Sequence, residues 1–377
     1  MEIFSNILKK GEILNYSIIE INLEYKINIM KLTFRWYGEK DSISLAYLRQ
    51  IPNLSGVVTA LYDVKVGEKW KEDSLIRLKD LCKENNLEME VIESIPVHED
   101  IKLGKETRDK YIENYIYNIR LVAKHGVKCI CYNFMPVFDW LRTDLYHKNN
   151  DGSVSLAYNN EDFKKIDPNN LHLPGWDESY TSDELKSLLE EYKSVSHENL
   201  INNLVYFLKK VIPVCEECDV NMAIHPYDPP WDVFGLPRIV SNEKDLDRMF
   251  EAVPSTRNGL TLCTGSFGAG RNNDLIHMAD KYSKQNRIHF LHLRNGLYTD
   301  NLDSFAESGH YSKCGSLDMA RIVEALVKNN FNGYVRPDHG RSTFGETGKP
   351  GYGLYDRALG CAYINGLFEA YEKINGK

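Results

Sequence analysis

The chain is poor in cysteine. Eight residues in 377 are too dilute for a disulfide scaffold. No run of 18 apolar residues occurs, so no membrane-spanning helix is expected. No secretory pattern opens the chain either, because Glu2, Lys9, Lys10, Glu12 and Glu20 interrupt every apolar stretch. These absences point to a reducing, cytoplasmic compartment, where a cysteine serves as a ligand, a nucleophile or a core residue. Positive charge is not in excess. Lys plus Arg number 46 against 54 Asp plus Glu, a formal net charge of −8, which opposes a phosphate-tracking nucleic-acid binder. Internal repeats are missing, as is any linker that would split the chain. What is present is a globular composition, 42% apolar and 27% charged, which excludes disorder, collagen and coiled coil and suffices for a large core.

Residues 1–29 differ from the rest. They are rich in Ile, Asn, Lys and Glu, contain no Arg and show no sustained period. They read as a non-native or upstream extension, with Met30 as the functional start, poorly ordered unless tied down. A real arm packed on a neighbouring subunit is the other reading. Residues 30–377 read as one catalytic domain.

Within it, eight short apolar or β-branched runs recur: Leu32–Trp36, Gly56–Leu61, Met89–Glu93, Val127–Phe134, Asn221–Pro226, Leu260–Gly265, Ile288–Asn295 and Tyr334–Gly340. Turn residues bound each of them. Between them lie segments of helical period, at Glu72–Asn85, Arg108–His125, Asp183–Glu217, Glu243–Ala252, Asp274–Lys284, Leu317–Asn329 and Tyr355–Glu372. Strands alternating with helices give parallel strands and crossovers, and eight strands close a (β/α)8 TIM barrel. A doubly wound open sheet is the weaker reading, because no Gly-rich phosphate loop follows the first strand. Residues 139–180 are polar and too long for a simple crossover. They read as a lid-like insertion after strand four, over the mouth of the barrel.

In such a barrel the active residues sit at the carboxyl ends of the strands. Strands five to eight end on His225, Cys263, His292 and Asp338-His339. Four consecutive strand ends carrying imidazole, thiolate or carboxylate indicate a metal centre, and imidazole suits Fe, Zn, Ni and Cu while carboxylate suits Mn and Mg. One thiolate plus one carboxylate would neutralise a divalent ion. On that balance Asp338 is the fourth ligand and His339 is free for acid–base work; the swapped assignment stays open. Arg294, Arg35 and Arg357 are the arginines best placed to clamp a substrate carboxylate. Trp36 and His98 end or follow strands one and three, and Asn295 follows Arg294. Cys215-Glu-Glu-Cys218 has a ligand-like spacing, but lies in a helical segment without a second pair. Cys129 and Cys131 read as small core residues.

At these residues the chain closely resembles the mannonate dehydratase family, from about residue 30 to the end. The resemblance is carried by Thr33-Phe34-Arg35-Trp36-Tyr37-Gly38, Ile92-Glu93-Ser94-Ile95-Pro96-Val97-His98-Glu99, Cys131-Tyr132-Asn133-Phe134-Met135-Pro136, Leu236-Pro237-Arg238-Ile239-Val240, Leu262-Cys263-Thr264-Gly265-Ser266 and Arg336-Pro337-Asp338-His339-Gly340-Arg341. The tail Pro350-Gly351-Tyr352-Gly353-Leu354-Tyr355-Asp356-Arg357-Ala358-Leu359-Gly360 is equally specific. One departure is visible: the family usually carries His-Pro-Asp-Asp-Pro-Pro, and this chain has His225-Pro226-Tyr227-Asp228-Pro229-Pro230. The resemblance implies an α/β, xylose-isomerase-like barrel. It also implies dehydration of D-mannonate to 2-dehydro-3-deoxy-D-gluconate in hexuronate (glucuronate) catabolism, dependent on Fe2+ or Mn2+.

That chemistry needs a base for the C2 proton and an acid for the leaving C3 hydroxyl. His339 and a tail tyrosine, Tyr352 or Tyr355, are the acid–base pair expected. Candidate substrate contacts are Arg35, Trp36, His98, Arg294, Asn295 and Arg357. A homo-oligomer is expected, with neither nucleic-acid nor membrane partner. A metal-dependent sugar isomerase or epimerase on the same barrel is the competing enzymatic reading; a metal-dependent nuclease and a catalytically dead binding barrel are the readings from other classes.

Overall fold

The computed structural model describes residues 30–166, 181–299 and 303–376. The expected extension at 1–29 and the end of the insertion, 167–180, lie outside the described residues. In chain order the described strands are β1 (Lys31–Arg35), β2 (Leu54–Thr59), β3 (Glu88–Glu93), β4 (Cys129–Tyr132), β5 (Asp144–Lys148) and β6 (Val154–Tyr158). They continue with β7 (Asn221–Ile224), β8 (Asn258–Cys263), β9 (Ile288–Leu293), β10 (Asn295–Tyr298), β11 (Phe305–Ser308) and β12 (Tyr334–Pro337).

Eight of these close a barrel in the order β1-β12-β9-β8-β7-β4-β3-β2, and every pair in it is parallel. Each expected strand is found, shifted by a few residues at its ends. The runs are apolar throughout because both faces are covered. One face meets the barrel interior, where Val58, Val91, Cys129, Cys131, Ala223, Phe290 and Tyr334 cluster. The other meets the helices, whose apolar stripes supply the larger core. In the helix Glu72–Glu84, for instance, Leu75, Leu78 and Cys82 are the buried positions, a single face at helical spacing. Burial pushes the Cys215 thiol up to about 12, and Cys215 belongs to the main core.

Two differences from the sequence reading position the site. The expected helix at Asp183–Glu217 is two helices, Ser182–Tyr192 and His197–Cys218. The break comes at Ser196, whose side chain accepts from the Asn199 N–H while Asn199 answers in a capping box. The long polar segment after β4 is also partly regular. Its strands β5 and β6 join β10 and β11 in an antiparallel sheet of order β10-β11-β6-β5. That sheet carries its own small core, including Phe138, Leu141, Tyr158, Leu185, Tyr192 and Phe305. Pairing of Phe305 with Tyr158 and of Ala306 with Ala157 joins segments more than 140 residues apart. No local period announces such a pairing. No helix among the described residues is long and apolar enough to cross a membrane.

Candidate active site

Parallel register brings distant residues to one height. Cys263 ends β8 opposite His292 of β9, and His292 stands opposite Arg336 of β12. His225 directly follows β7, and Asp338 directly follows β12. The donor atoms of His225, Cys263 and His292 all lie within 4.8 Å of one another. Nδ1 of His225 is 2.7 Å from the Pro226 carbonyl, which leaves Nε2 as the ring's free donor. Burial lowers the His225 pKa against the pull of Asp338, Glu93 and Asp228, so the ring holds its neutral, ligand-competent form. The Cys263 sulfur is fixed by Ser266, whose N–H and hydroxyl reach it at 3.4 and 3.0 Å. Asp338 brings Oδ2 to 3.4 Å from that sulfur and Oδ1 to 3.6 Å from His292 Nδ1. Two imidazoles, a sulfur and a carboxylate converging in this way fit a divalent transition ion.

A second trio, Glu93, Cys131 and His292, is equally tight. There a guanidinium already takes the cation's place. Arg336 puts Nη2 3.0 Å from Glu93 Oε1 and Nε 2.9 Å from His292 Nε2, and Arg35 Nη1 is 2.9 Å from the same Glu93 oxygen. The upper trio is thus the better candidate for metal.

Neighbouring side chains at the end of β12 diverge. Asp338 faces the trio. His339 faces the other way, with Nε2 2.9 Å from the Tyr352 hydroxyl and Nδ1 2.8 Å from Glu307 Oε1. The Trp140 ring lies edge-on to His339 at 5.7 Å, and Tyr37 packs edge-on against Tyr352 at 5.1 Å. Burial, reinforced by Asp338, pushes the Tyr352 phenol up to about 12 despite Arg336 and Arg35. Burial alone would also raise the Glu307 carboxyl. His339, Arg294 and Arg142 outweigh it and hold that group at about 2.

Around these residues runs a buried charge lattice. Arg142 pairs with Asp228 and Glu307 at 2.8 and 2.7 Å. Arg294 pairs with Asp228, Glu307 and Asp338 at 2.6, 2.7 and 2.7 Å. Arg336 pairs with Glu93 and Asp338. Buried ions persist only when paired in this way, and removing one partner of such a pair costs about 3–5 kcal/mol.

The remaining expected residues separate into two groups. Arg35 lines the lattice, and its Nε is buried without a hydrogen-bond partner; Arg294 sits at the lattice's centre. Tyr355 does not join them. It is 48% exposed and packs against Phe344, on the outward side of a helix whose next two residues, Asp356 and Arg357, are the buried ones. Trp36 lies in the main core. His98 caps the helix Glu99–Leu103 through Nδ1 and stacks on Tyr111. Asn295 spends its amide on the carbonyls of Tyr311, Ser312 and Leu317 and on the N–H groups of Gly296 and Leu317. Arg357 donates to the carbonyls of Gly353, Arg35 and Tyr352, so it holds the loop that carries Tyr352. Of these four, Asn295 and Arg357 have their polar groups taken by backbone partners, Trp36 is buried in the core, and His98 uses Nδ1 for its cap.

The family departure at Tyr227 also falls outside the site. Its ring is fully buried, its hydroxyl donates to the Phe134 carbonyl at 2.8 Å, and Arg238 lies over its face. Sequence reasoning did not single out Glu93, Arg142, Arg336 or Glu307 as site residues. For Glu93 and Arg336 a signal existed, since a charge inside a strand buried on both faces must find a partner. For Glu307 there was none.

A family model described as D-mannonate dehydratase (UxuA) matches residues 30–377. Mannonate dehydratases of Thermotoga petrophila and Thermotoga maritima are each 51% identical over 357 residues, covering 92% of this chain and 99% of the relative. Among solved structures, mannonate dehydratase from Streptococcus suis serotype 2 matches with a TM-score of 0.86 at 45% identity, over 93% of this chain and 95% of that one. A xylose isomerase-like TIM barrel protein from Mycobacterium smegmatis, in complex with magnesium, has a TM-score of 0.54 at 12% identity, over 91% of this chain and 97% of that one; it shares the fold alone. The family model spans the barrel and both site groups, the His225–Cys263–His292 trio and the His339–Tyr352 pair, and the chain belongs to the mannonate dehydratase family.

Proposed function

We propose that this chain eliminates water from D-mannonate to give 2-dehydro-3-deoxy-D-gluconate, a step of hexuronate catabolism. The observation that carries this reading is the placement of a His225–Cys263–His292 trio beside a hydrogen-bonded His339–Tyr352 pair, both set in one buried charge lattice. In our reading His225, Cys263, His292 and Asp338 hold Fe2+ or Mn2+. When bound, the ion supplies Lewis-acid stabilisation of negative charge developing next to the substrate carboxylate.

Charge counting supports an acidic substrate. Arg35, Arg142, Arg294 and Arg336 are matched by Glu93, Asp228, Glu307 and Asp338. A divalent ion with one thiolate ligand adds a single net positive charge, which a monoanionic sugar acid neutralises. Arg35 and Arg294 are the substrate-facing cations we assign. Arg35 keeps an unpartnered Nε, and both remain charged at any working pH.

His339 and Tyr352 are the acid–base pair we assign. The phenol stays protonated near neutrality, and the imidazole Nε2 beside it can take a proton. One donor and one acceptor thus sit together, as removal of a C2 proton and departure of a C3 hydroxyl require. The lattice groups around them are held in ion pairs, so their dipoles need little rearrangement as charge develops. We place the protein in the cytoplasm, as eight free cysteines suit, and read the exposed apolar group Phe344, Tyr355 and Leu359 as part of a homo-oligomer contact. Incubation with D-mannonate and Fe2+ or Mn2+ should yield a 2-keto acid. An aldose–ketose interconversion with no 2-keto acid would replace this reading with a sugar isomerase.

A further inference from the structure

Glu307 does not belong to the barrel. It sits on β11, in the hairpin inserted after β9, opposite Gly296 of β10. It is 2% exposed, yet it reaches His339 on β12. One of its oxygens, Oε1, takes Arg142 Nη2 at 2.7 Å, Arg294 Nη1 at 2.7 Å and His339 Nδ1 at 2.8 Å. Glu307 shares the neutralisation of Arg142 and Arg294 with Asp228, but charge balance alone does not call for its contact with His339. Asp228 already engages both, accepting from Arg142 Nη1 and Nη2 at 2.8 and 2.9 Å and from Arg294 Nη2 at 2.6 Å. What Glu307 adds is an acceptor fixed in front of an imidazole nitrogen.

An ionised carboxylate only accepts hydrogen bonds. The hydrogen in the His339–Glu307 contact therefore belongs to Nδ1. In the neutral ring, Nε2 then carries the lone pair, and it faces the Tyr352 hydroxyl at 2.9 Å. We propose that Glu307 is the positioning residue for His339: it fixes the ring in the Nδ1–H tautomer and aims Nε2 at Tyr352 and the substrate. The inference rests on the dehydration reading of the site. It gives the accessory sheet a role in the chemistry, since β6 and β10 hold the strand on which Glu307 stands. The two arginines act as clamps that leave the carboxylate one orientation.

The test has two arms on the full chain. In the first, imidazole 15N shifts are recorded with histidine-labelled protein carrying diamagnetic Zn2+, and the His339 signals are identified by their loss in His339→Asn. At a pH where the ring is neutral, the expected result is the hydrogen on Nδ1. Protonation on Nε2 in the unmutated chain would overturn the proposal. The second arm compares Glu307→Gln and Glu307→Asp. The glutamine amide can donate to Nδ1 and reverse the tautomer. In an Asp–His–Ser triad the corresponding amide lowers kcat by about 10^4-fold. For Glu307→Gln a fall in kcat on the order of 10^2 to 10^4 is expected, with KM and bound metal per chain little changed and part of the rate restored by Glu307→Asp. A Glu307→Gln kcat near the unmutated value would refute the proposal. If that variant does not fold, the first arm decides alone. If the unmutated chain produces no 2-keto acid, the dehydration reading fails while the tautomer measurement still reports on Glu307.

Discussion

Gly265→Ala should damage this enzyme although it adds one methyl group. Gly265 follows Cys263 by two residues, in the short buried helix Thr264–Ala269. A Cβ there would lie 2.3 Å from Arg294 Nε, 2.4 Å from its Cζ and 2.6 Å from its Cγ. A flexible surface arginine would swing aside. Arg294 cannot, because Asp228, Glu307 and Asp338 hold its guanidinium at 2.6–2.7 Å. Relieving the clash requires a shift of roughly 1 Å to reach ordinary contact distance. A shift of that size takes at least one of the three contacts beyond the hydrogen-bond range.

Overpacking costs about 1–3 kcal/mol, and loosening a buried ion pair adds part of the ~3–5 kcal/mol of a broken one. Replacing helical glycine with alanine returns only about 0.5–1 kcal/mol. The net expectation is a destabilisation of about 3 kcal/mol. With an unfolding entropy of ~2.1 cal/mol/K per residue over the described barrel, that lowers Tm by roughly 4 °C. Because Arg294 touches both Asp338 and Glu307, kcat should fall at least ~10-fold as well. Gly366→Ala is the matched control. Its Cβ would meet nothing within 4 Å, in the helix Tyr355–Ile374, and its effect should be neutral or slightly stabilising. Thermal melts and steady-state 2-keto acid assays on both variants decide the matter. If Gly265→Ala melted with the unmutated protein and kept its full kcat, Arg294 would not be pinned, and the lattice would be looser than the distances imply.

Two further tests separate residues that the sequence could not. Tyr352→Phe should lower kcat on the order of 10^2 to 10^4 with little change in Tm, whereas Tyr355→Phe should leave both unchanged, since Tyr355 is half exposed beside Phe344; the opposite order would move the acid–base pair to the helix start. Cys263→Ser should cut the iron or manganese bound per chain by at least ~10-fold in elemental analysis of anaerobically purified protein, because the hard hydroxyl replaces the sulfur donor, and retention of the full metal content would dissolve the trio as a metal centre.

The sequence by itself determined the barrel. Its eight strands are continuous apolar runs between amphipathic helices, and burial on both faces writes that pattern locally. The convergence of His225, Cys263, His292 and Asp338 was also legible, because the carboxyl ends of successive parallel strands must share one rim. What tertiary structure decided lies elsewhere. Tyr352 and Tyr355 are three residues apart in the tail, and only packing shows that one meets His339 while the other meets solvent. Trp36, His98, Asn295 and Arg357 carry the right chemistry, but their neighbours spend it on caps, carbonyls and core. Glu307 had no signal at all. It reaches His339 through a sheet assembled from two separate insertions, and the pairing of β6 with β11 depends on contacts across more than 140 residues of chain. Hydrophobic period records whether a position is buried. It does not record which distant partner a buried charge will find, and that choice belongs to the folded molecule.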